Sequence, residues 1–323
     1  MAHKVMIDAD SGVSDALAIA LALVDPDLDV LAVTASGGRV SVQQAARNLM
    51  TLIEAVDPPK WPRLGVADSP DCEFEQARFS EQVGDELHIC RQLHGEEGFG
   101  DWPVGDAALH HPRSAAKLLS ETTREHPGEV TLITLGPLTT VAHAQELDPE
   151  FSARLKGLVA FAGAIHSGGD ISPVAEFNVA FNPEAARHVL RRPATKTLVP
   201  LDVGRKAVLT FENVQRLKLD DGEPCSRLLQ SLLNFSLRAH HETLGMEGMW
   251  LMDIAAIAAV SQPQFFTRQS VGVDVETSGR LTRGMTVFDR RPRPSWRPNI
   301  DVLTDANSQG LLDYVSAILG RGR

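Results

Sequence analysis

Residues 5–23 read VMIDADSGVSDALAIALAL and join an apolar run to three aspartates and a helical pattern. The β-branched and apolar residues up to position 8 are typical of a buried strand, and the alanines and leucines after position 14 favour a helix. A strand that leads directly into a helix begins a β–α unit. We therefore expect Asp8 and Asp10 at the end of the first strand and Asp15 in the first turn of the helix.

The same alternation continues along the chain. Strand-like runs that are each followed by helical patterns cover residues 28–36, 130–135, 155–164 and 195–203, and a strand-rich part lies near 271–304. Repeated β–α units predict an α/β fold with an open, mostly parallel sheet and helices on both faces. Residues 68–86 and 289–299 are rich in proline and charge, but neither joins two self-sufficient segments. We predict a single domain over residues 1–323.

Composition excludes several classes of partner. The 323 residues are 43% hydrophobic and 23% charged, as in soluble globular proteins, and 31 Lys+Arg against 42 Asp+Glu give a net charge of −11. This charge disfavours nucleic acid and anionic lipid as partners and favours small molecules or cations. We expect no membrane segment, because no apolar run approaches the roughly 20 residues of a spanning helix.

The cysteines and the first residues bear on localisation. Cys72, Cys90 and Cys225 are widely spaced and form no CxxC pattern, which argues against a disulfide framework and a zinc site. The segment MAHKVMIDAD lacks the apolar region of a signal peptide. We expect a cytoplasmic protein.

The three aspartates of the opening stretch favour a metal ion. Helix capping and the helix dipole would explain one or two acids at this position, but they explain three poorly. Carboxylates that converge repel one another unless a cation lies among them. Oxygen ligands on a flexible loop favour a hard ion, and Ca²⁺ more than Mg²⁺.

Further motifs follow in a specific order. They are LHGEEGFGD from residue 93, ITLGPLTTVA from 133, GDISPVAEFNVAFNPEAA from 169 and MWLMDIAAIA from 249. With DADSGVSDA they resemble the inosine–uridine type nucleoside hydrolases, whose signatures usually read DxDPGxDD, GPLTN, AEFN followed by DPEAA, and a His-Asp pair opening a helix. The resemblance covers most of the chain. It implies Ca²⁺-dependent hydrolysis of the N-glycosidic bond of a ribonucleoside or close analogue, in purine or pyrimidine salvage, by a homodimer or homotetramer.

The resemblance also implies roles for particular residues. Asp10, Asp15, Asp253 and the main-chain carbonyl of Leu135 would bind Ca²⁺, and Asp253 would contact substrate as well. Asp10 would be the general base for a metal-bound water, with Asp8 supporting it. Glu176 and Asn178 would hold the ribose hydroxyls.

Five positions depart from the family pattern. Ser11 replaces the proline, Ser14 an aspartate, Arg39 an asparagine, Asp170 an asparagine near the ribose, and Met252 the histidine before the metal-binding aspartate. Ser14, Arg39 and Asp170 are still expected to contact substrate. Because Ser14 loses a charge and Arg39 adds a fork suited to a carboxylate or phosphate, we expect ordinary inosine and uridine to be poor substrates.

The proton donor to the leaving base is a separate question, since Met252 cannot serve. His94 corresponds to a histidine that many relatives place near the base, and His240 and His241 lie shortly before Asp253. We predict His94 and His241 as catalytic and expect the other of the adjacent pair on a solvated helix face. His110, His111 and His143 are expected at the surface or in packing.

Two other classes of function stay open. A non-catalytic family member that binds a nucleoside-like ligand would explain the departures, but it leaves the retained acids without a reason. A haloacid-dehalogenase-like phosphatase would use Asp8 as nucleophile and Asp10 as acid. It predicts a downstream lysine and an acidic pair, and it leaves the EFN and PEAA elements unexplained.

Overall fold

The computed structural model describes residues 2–68, 78–79, 84, 86–105, 112–217, 219–220 and 222–320. Cys72, His110 and His111 lie outside these residues, as does most of the proline- and charge-rich segment 68–86. Within the described residues, no helix is long and apolar enough to cross a membrane.

Most of the described strands form one sheet of nine. Its strands are β1 His3–Ala9, β2 Leu28–Ala35, β3 Arg63–Val66, β4 Arg113–Ser114, β5 Thr131–Thr134, β6 Gly157–Phe161, β7 Lys196–Val199, β10 Phe266–Val271 and β13 Ile300–Ala306. Their order in the sheet is β10-β13-β7-β6-β5-β1-β2-β3-β4, with β10 antiparallel and the others parallel. Smaller antiparallel pairs join β8 Val208–Thr210 to β9 Gly248–Trp250 and β11 Val273–Val275 to β12 Thr286–Phe288.

The helices connect these strands. Their bounds are α1 Val13–Val24, α2 Val42–Val56, α3 Glu86–His94, α4 Ala115–Glu125, α5 Thr139–Leu147, α6 Phe151–Arg154, α7 Phe177–Phe181, α8 Pro183–Arg191, α9 Leu201–Gly204, α10 Phe211–Gln215, α11 Pro224–Leu244, α12 Met252–Ser261 and α13 Ser308–Leu319. The mainly helical region 211–262 is interrupted by β9, whose three residues are set by pairing with β8 rather than by local pattern.

The sheet is covered on both faces. Along β1, Val5 and Ile7 belong to one core cluster and Met6 to a second, because successive side chains of a strand point to opposite faces. The first cluster includes residues of α1, α2, α11 and α12, and the second includes residues of α4, α5 and α8. The predicted α/β fold with a mostly parallel, doubly covered sheet is confirmed.

The strand order reverses beside β1. From β1 the chain runs outward through β2, β3 and β4, and on the other side through β5, β6 and β7. Asp8 in β1 is paired with Thr34 of β2 and Thr134 of β5. In open α/β sheets, ligands bind outside the carboxyl ends of the strands at such a switch point, which is where Asp10 follows β1.

Candidate active site

The loop from β1 to α1 carries the first group of acids. Asp10 is fully buried directly after β1, and the backbone N–H of Gly12, which caps α1, donates to Asp15 Oδ2 over 2.8 Å. Between them Ser11 has a φ of 58°, in the left-handed region that non-glycine residues rarely adopt. The loop thus turns sharply and aims Asp10 and Asp15 at the same space.

Arg39, in the loop after β2, is the direct partner of Asp10. Its backbone N–H donates to Asp10 Oδ2 over 2.8 Å, and its Nη1 donates to Asp10 Oδ1 over 3.1 Å. The Arg39 side chain is 6% exposed and that of Asp10 is 0% exposed. A Cβ atom at position 38 would lie 2.1 Å from Asp10 Oδ2, so the approach of this loop requires Gly38.

Other contacts hold the guanidinium of Arg39 in this position. Its Nε lies 3.1 Å from His94 Nε2, and its Cζ lies 4.7 Å from the ring centroid of Phe177. The carboxylates of Asp10, Asp15 and Asp253 raise the pKa of Arg39 above its ordinary value, against the opposing effect of burial. Arg39 is therefore a fixed positive charge inside the acid cluster.

Asp253 joins the cluster from the first turn of α12. Both of its carboxylate oxygens are buried and have no hydrogen-bond partner among the described residues, and the same holds for Asp15 Oδ1. The nearby Ser14 hydroxyl lowers the pKa of Asp253, although the pair lacks normal hydrogen-bond geometry. Burial raises the pKa of Asp253 to about 6, and burial with the charges of Asp253 and Asp10 raises that of Asp15.

Asp8 lies behind Asp10 in β1. Its Oδ1 accepts a hydrogen bond from Thr34 Oγ1 over 2.5 Å, whereas its Oδ2 is buried without a partner among the described residues. Burial raises the pKa of Asp8 to about 7, and the charge of Asp10 adds to the effect. Asp8 is thus placed to hold a proton next to the cluster near neutral pH.

Leu135 and Asn178 meet on the other side of the switch point. The carbonyl of Leu135, which follows β5, accepts a hydrogen bond from Asn178 Nδ2 over 2.6 Å, and the same Nδ2 donates to the carbonyl of Phe161 over 2.9 Å. Asn178 Oδ1 is buried and has no partner within the described part of the chain. Asn178 therefore offers a free acceptor.

Glu176 and Asp170 mainly organise the start of α7. Glu176 accepts from the backbone N–H groups of Gly163, Asn178 and Val179 over 2.8–3.2 Å. Burial raises its pKa to about 8, with a further contribution from Asp170. Asp170 Oδ1 accepts from the N–H of Phe177 over 2.8 Å. Both acids are near the cluster, but hydrogen bonds to the backbone occupy part of their acceptor capacity.

His94 lies between the start of α1 and Arg39. Its Nδ1 faces the N–H of Val13 at 3.1 Å, and its Nε2 faces the Nε–H of Arg39. A neutral imidazole has a single acceptor nitrogen, so only one of these contacts is a full hydrogen bond. Burial and the charge of Arg39 lower the pKa of His94 well below its ordinary value. His94 therefore orients Arg39 and the start of α1, and its catalytic role stays a prediction.

The structure places His241 at the surface. Its side chain is 57% exposed, and its Nδ1 lies 3.6 Å from Glu247 Oε1. The buried member of the adjacent pair is His240, which contacts the ring of Trp250 and whose charge lowers the pKa of His94. Successive side chains of a helix point about 100° apart, so only one of these two residues of α11 faces the protein core. The structure thus buries His240, which was expected on a solvated helix face, and exposes His241, whose catalytic role stays a prediction.

This geometry bears on the predicted Ca²⁺ ligands Asp10, Asp15, Asp253 and the carbonyl of Leu135. Among the residues that the structure describes, no group of three or more histidine, cysteine or acidic side chains could hold a metal ion. Asp15 and Asp253 retain unpartnered oxygens, but Arg39 covers both oxygens of Asp10, and Asn178 is bonded to the Leu135 carbonyl. The residues as arranged do not fit the predicted calcium site.

Comparison with known proteins bears on this arrangement of acids. The sequence profile described as "Inosine-uridine preferring nucleoside hydrolase" matches residues 5–313. The chain belongs to this family. The resemblance found in the sequence is confirmed, and with it the assignment of this nucleoside hydrolase to the N-glycosyl hydrolases.

Individual relatives match this nucleoside hydrolase over almost its whole length. It is 34% identical over 319 residues to the pyrimidine-specific ribonucleoside hydrolases RihA of Salmonella paratyphi B and of Escherichia coli O17:K52:H18, with 98% of both chains covered. Among solved structures, the plant nucleoside hydrolase PpNRh1 has 26% identity and a TM-score of 0.87, and an inosine-guanosine nucleoside hydrolase has 25% identity and a TM-score of 0.84, each with 100% of both chains covered.

Proposed function

We propose that this nucleoside hydrolase cleaves the N-glycosidic bond of a ribonucleoside with water and releases the free base and the sugar. The buried cluster of Asp10, Asp15 and Asp253 at the switch point carries the proposal. Cleavage of this bond develops positive charge on the sugar ring, and fixed negative groups beside the ring stabilise that charge in the transition state. Unpartnered carboxylate oxygens in the cluster are available to a sugar.

Asp10 is the proposed general base. Each carboxylate oxygen has two lone pairs, so Asp10 can accept a proton from an attacking water while it keeps its hydrogen bonds from Arg39. The N–H groups of Arg39 fix the carboxylate in one orientation, which a base needs in order to act on a water at a defined position.

Asn178 and Asp253 are the proposed anchors of the sugar. Asn178 Oδ1 and both Asp253 oxygens are buried acceptors without partners among the described residues, and ribose hydroxyls are donors of matching chemistry. Ser14 lies beside Asp253 and offers a hydroxyl. Glu176 and Asp170 keep the backbone of α7 in place and contribute less directly.

Pyrimidine ribonucleosides are the proposed substrate class. The relatives that are 34% identical over 98% of the chain are named pyrimidine-specific ribonucleoside hydrolases. Ser14 stands where the family pattern has an acid, so we propose slower turnover of unmodified uridine than that pattern would give.

The experiment is an assay of purified protein with uridine, cytidine and inosine. Base release is followed by chromatography and sugar release by a reducing-sugar assay, with Ca²⁺ added in one series and a chelator in the other. The Asp10→Asn variant measures the background. Equal amounts of base and sugar above this background support the proposal. If none of the three nucleosides releases base and sugar, the proposal is contradicted. The Ca²⁺ dependence predicted from the sequence is read from the same two series.

A ligand-binding function without catalysis is the second candidate. The ion pair between Asp10 and Arg39 favours it, because it occupies the proposed base with a fixed partner. Calorimetric titration with uridine distinguishes the two. Binding without product release would establish this second function.

A further inference from the structure

We propose that the guanidinium of Arg39 is the resident cation of the acid cluster and replaces the metal ion that the family pattern places there. The inference concerns the same site as the proposed hydrolysis, but it is tested by metal content and stability as well as by activity. The first observation that supports this inference is the direct contact between Arg39 and Asp10. Arg39 donates to both oxygens of Asp10, the residue that the resemblance makes both a metal ligand and the base.

A calcium ion and this guanidinium compete for the same carboxylate. Ca²⁺ takes oxygen ligands at about 2.3–2.6 Å, so it would lie on the oxygens that Arg39 already contacts. Two cations this close repel each other strongly where water is excluded, and here the two side chains are 6% and 0% exposed. Binding of the metal would require Arg39 to leave.

The surroundings of Arg39 oppose such a movement. His94 faces its Nε, the Phe177 ring lies 4.7 Å from its Cζ, and its own backbone N–H is bonded to Asp10. Arg39 is fixed from both the main chain and the side chain, and a guanidinium is the cation best suited to a two-point contact with a carboxylate. These contacts distinguish it from a surface arginine that happens to cover an acid.

The loop that carries Asp10 differs from the family pattern in a way that fits this role. Ser11 has a φ of 58°, whereas the proline of the pattern would hold φ near −65°. The backbone next to Asp10 therefore cannot be the one that the proline imposes. Ser14, in the first turn of α1, stands where the pattern has a further acid, so this stretch of chain carries one negative charge fewer around a cation of charge +1.

The test is the metal content of the native protein after exchange into metal-free buffer, together with its melting temperature with Ca²⁺ and with chelator. We expect no stoichiometric calcium and no shift of the melting temperature in either condition. In Arg39→Asn, which restores the residue of the pattern, we expect Ca²⁺ to bind and to raise the melting temperature, since a ligand that binds only the folded state stabilises it. Arg187→Asn, which removes a two-point contact with Asp274 elsewhere, is the control and should bind no calcium.

One bound calcium per native chain, with a lower melting temperature after chelation, would overturn the proposal. The measurement on the native protein decides this even if Arg39→Asn does not fold. In that case Arg39→Lys serves as the second variant. It keeps the positive charge but not the forked guanidinium, and it should also bind no calcium. Hydrolysis that requires Ca²⁺ would refute the proposal while supporting the proposed function. Absence of both hydrolysis and calcium would refute only the proposed function.

Discussion

At the scale of single residues, the central feature of the site is the buried pair of Asp10 and Arg39. The two charges stabilise one another in a region that excludes water, and removal of either leaves the other without a counterion. Such a loss typically costs about 3–5 kcal/mol of folding free energy. Variants at these positions should therefore be judged on stability as well as on turnover.

The first prediction concerns Asp10→Asn. The variant keeps the size of the side chain but loses the proton acceptor, so turnover of uridine should fall by roughly 10²–10⁴-fold, as is usual when a general base is removed. Steady-state rates and thermal melting measure the two effects. The control is Asp148→Asn, which removes another buried acid that pairs with Arg124 and Arg154 and should lower stability without a comparable loss of turnover. Near-normal turnover of Asp10→Asn would assign the base to another carboxylate.

The second prediction concerns pH and Asp8. Burial raises the pKa of this carboxyl from 3.8 in the unfolded chain to about 7 in the folded protein. The folded state therefore binds more protons than the unfolded state between these values, and Asp8 makes the protein less stable as pH rises through this window. When the pH rises from 5 to 8, the free energy of unfolding should fall in both proteins. The fall should be about 3 kcal/mol smaller in Asp8→Asn than in the native protein.

Urea denaturation at the two pH values measures this difference. Asp15, Asp253 and Glu176 have pKa values raised in the same direction and remain in both proteins, so they cancel in the comparison. An identical pH dependence for both proteins would mean that Asp8 titrates in the folded state as it does in the unfolded chain.

The third prediction returns two positions to the family pattern. Ser14→Asp alone adds a carboxylate beside Asp253, whereas Ser14→Asp with Arg39→Asn also vacates Asp10 for a metal ion. With Ca²⁺ added, the double variant should hydrolyse uridine more efficiently than the native protein, by about one to two powers of ten, since one charged hydrogen bond is worth about 1.5–3 kcal/mol. Comparison of kcat/KM for uridine in the three proteins provides the measurement, and lower values in both variants would show that the native pocket suits this substrate.

At the scale of elements, the loop from β1 to α1 has a backbone that the sequence pattern of the family does not predict. The fourth prediction is that Ser11→Pro lowers the melting temperature, because the ring cannot reach the observed φ of 58° and the loop must refold around it. Ser11→Ala removes the hydroxyl without fixing φ and is the control. If Ser11→Pro melted at the native temperature, the left-handed conformation of Ser11 would have no energetic importance.

The longer elements could be predicted from periodicity. The observed bounds of β1, α1 and β2 fall within one or two residues of the runs found in the sequence, because apolar spacing sets which face each element buries. Short strands such as β3, β8 and β9 were missed. Three or four residues carry too little pattern, and their conformation is fixed by partners that are distant in the chain.

The site could be predicted only in part for a similar reason. Motifs located the acids Asp8, Asp10, Asp15 and Asp253, and the structure brings them to one end of the sheet. The inward position of Arg39 depends on the approach of the Gly38 backbone to Asp10, which no local pattern encodes. The resemblance placed Arg39 near the substrate, and Gly38 directly before it was a further signal, but neither predicted the contact with Asp10.

At the scale of the whole molecule, the fifth prediction is the homodimer or homotetramer implied by the family. Size-exclusion chromatography with light scattering should give about twice or four times the 35.0 kDa of one chain. Because the net charge is −11, copies repel one another at long range, and salt that screens this repulsion should not dissociate the assembly. A mass of one chain at all concentrations would contradict the prediction.

The order in which the ribosome makes the chain gives the pair of Asp10 and Arg39 a further consequence. These residues are 29 positions apart, so they are available to one another as soon as β1 and β2 pair. Asp253 belongs to α12 and is synthesised much later. A site that relies on a metal must wait for that last acid before it can capture its ion, whereas an arginine supplied by the second β–α unit neutralises Asp10 from the beginning. In the proposed arrangement, the counterion of Asp10 therefore comes from the neighbouring β–α unit rather than from outside the chain.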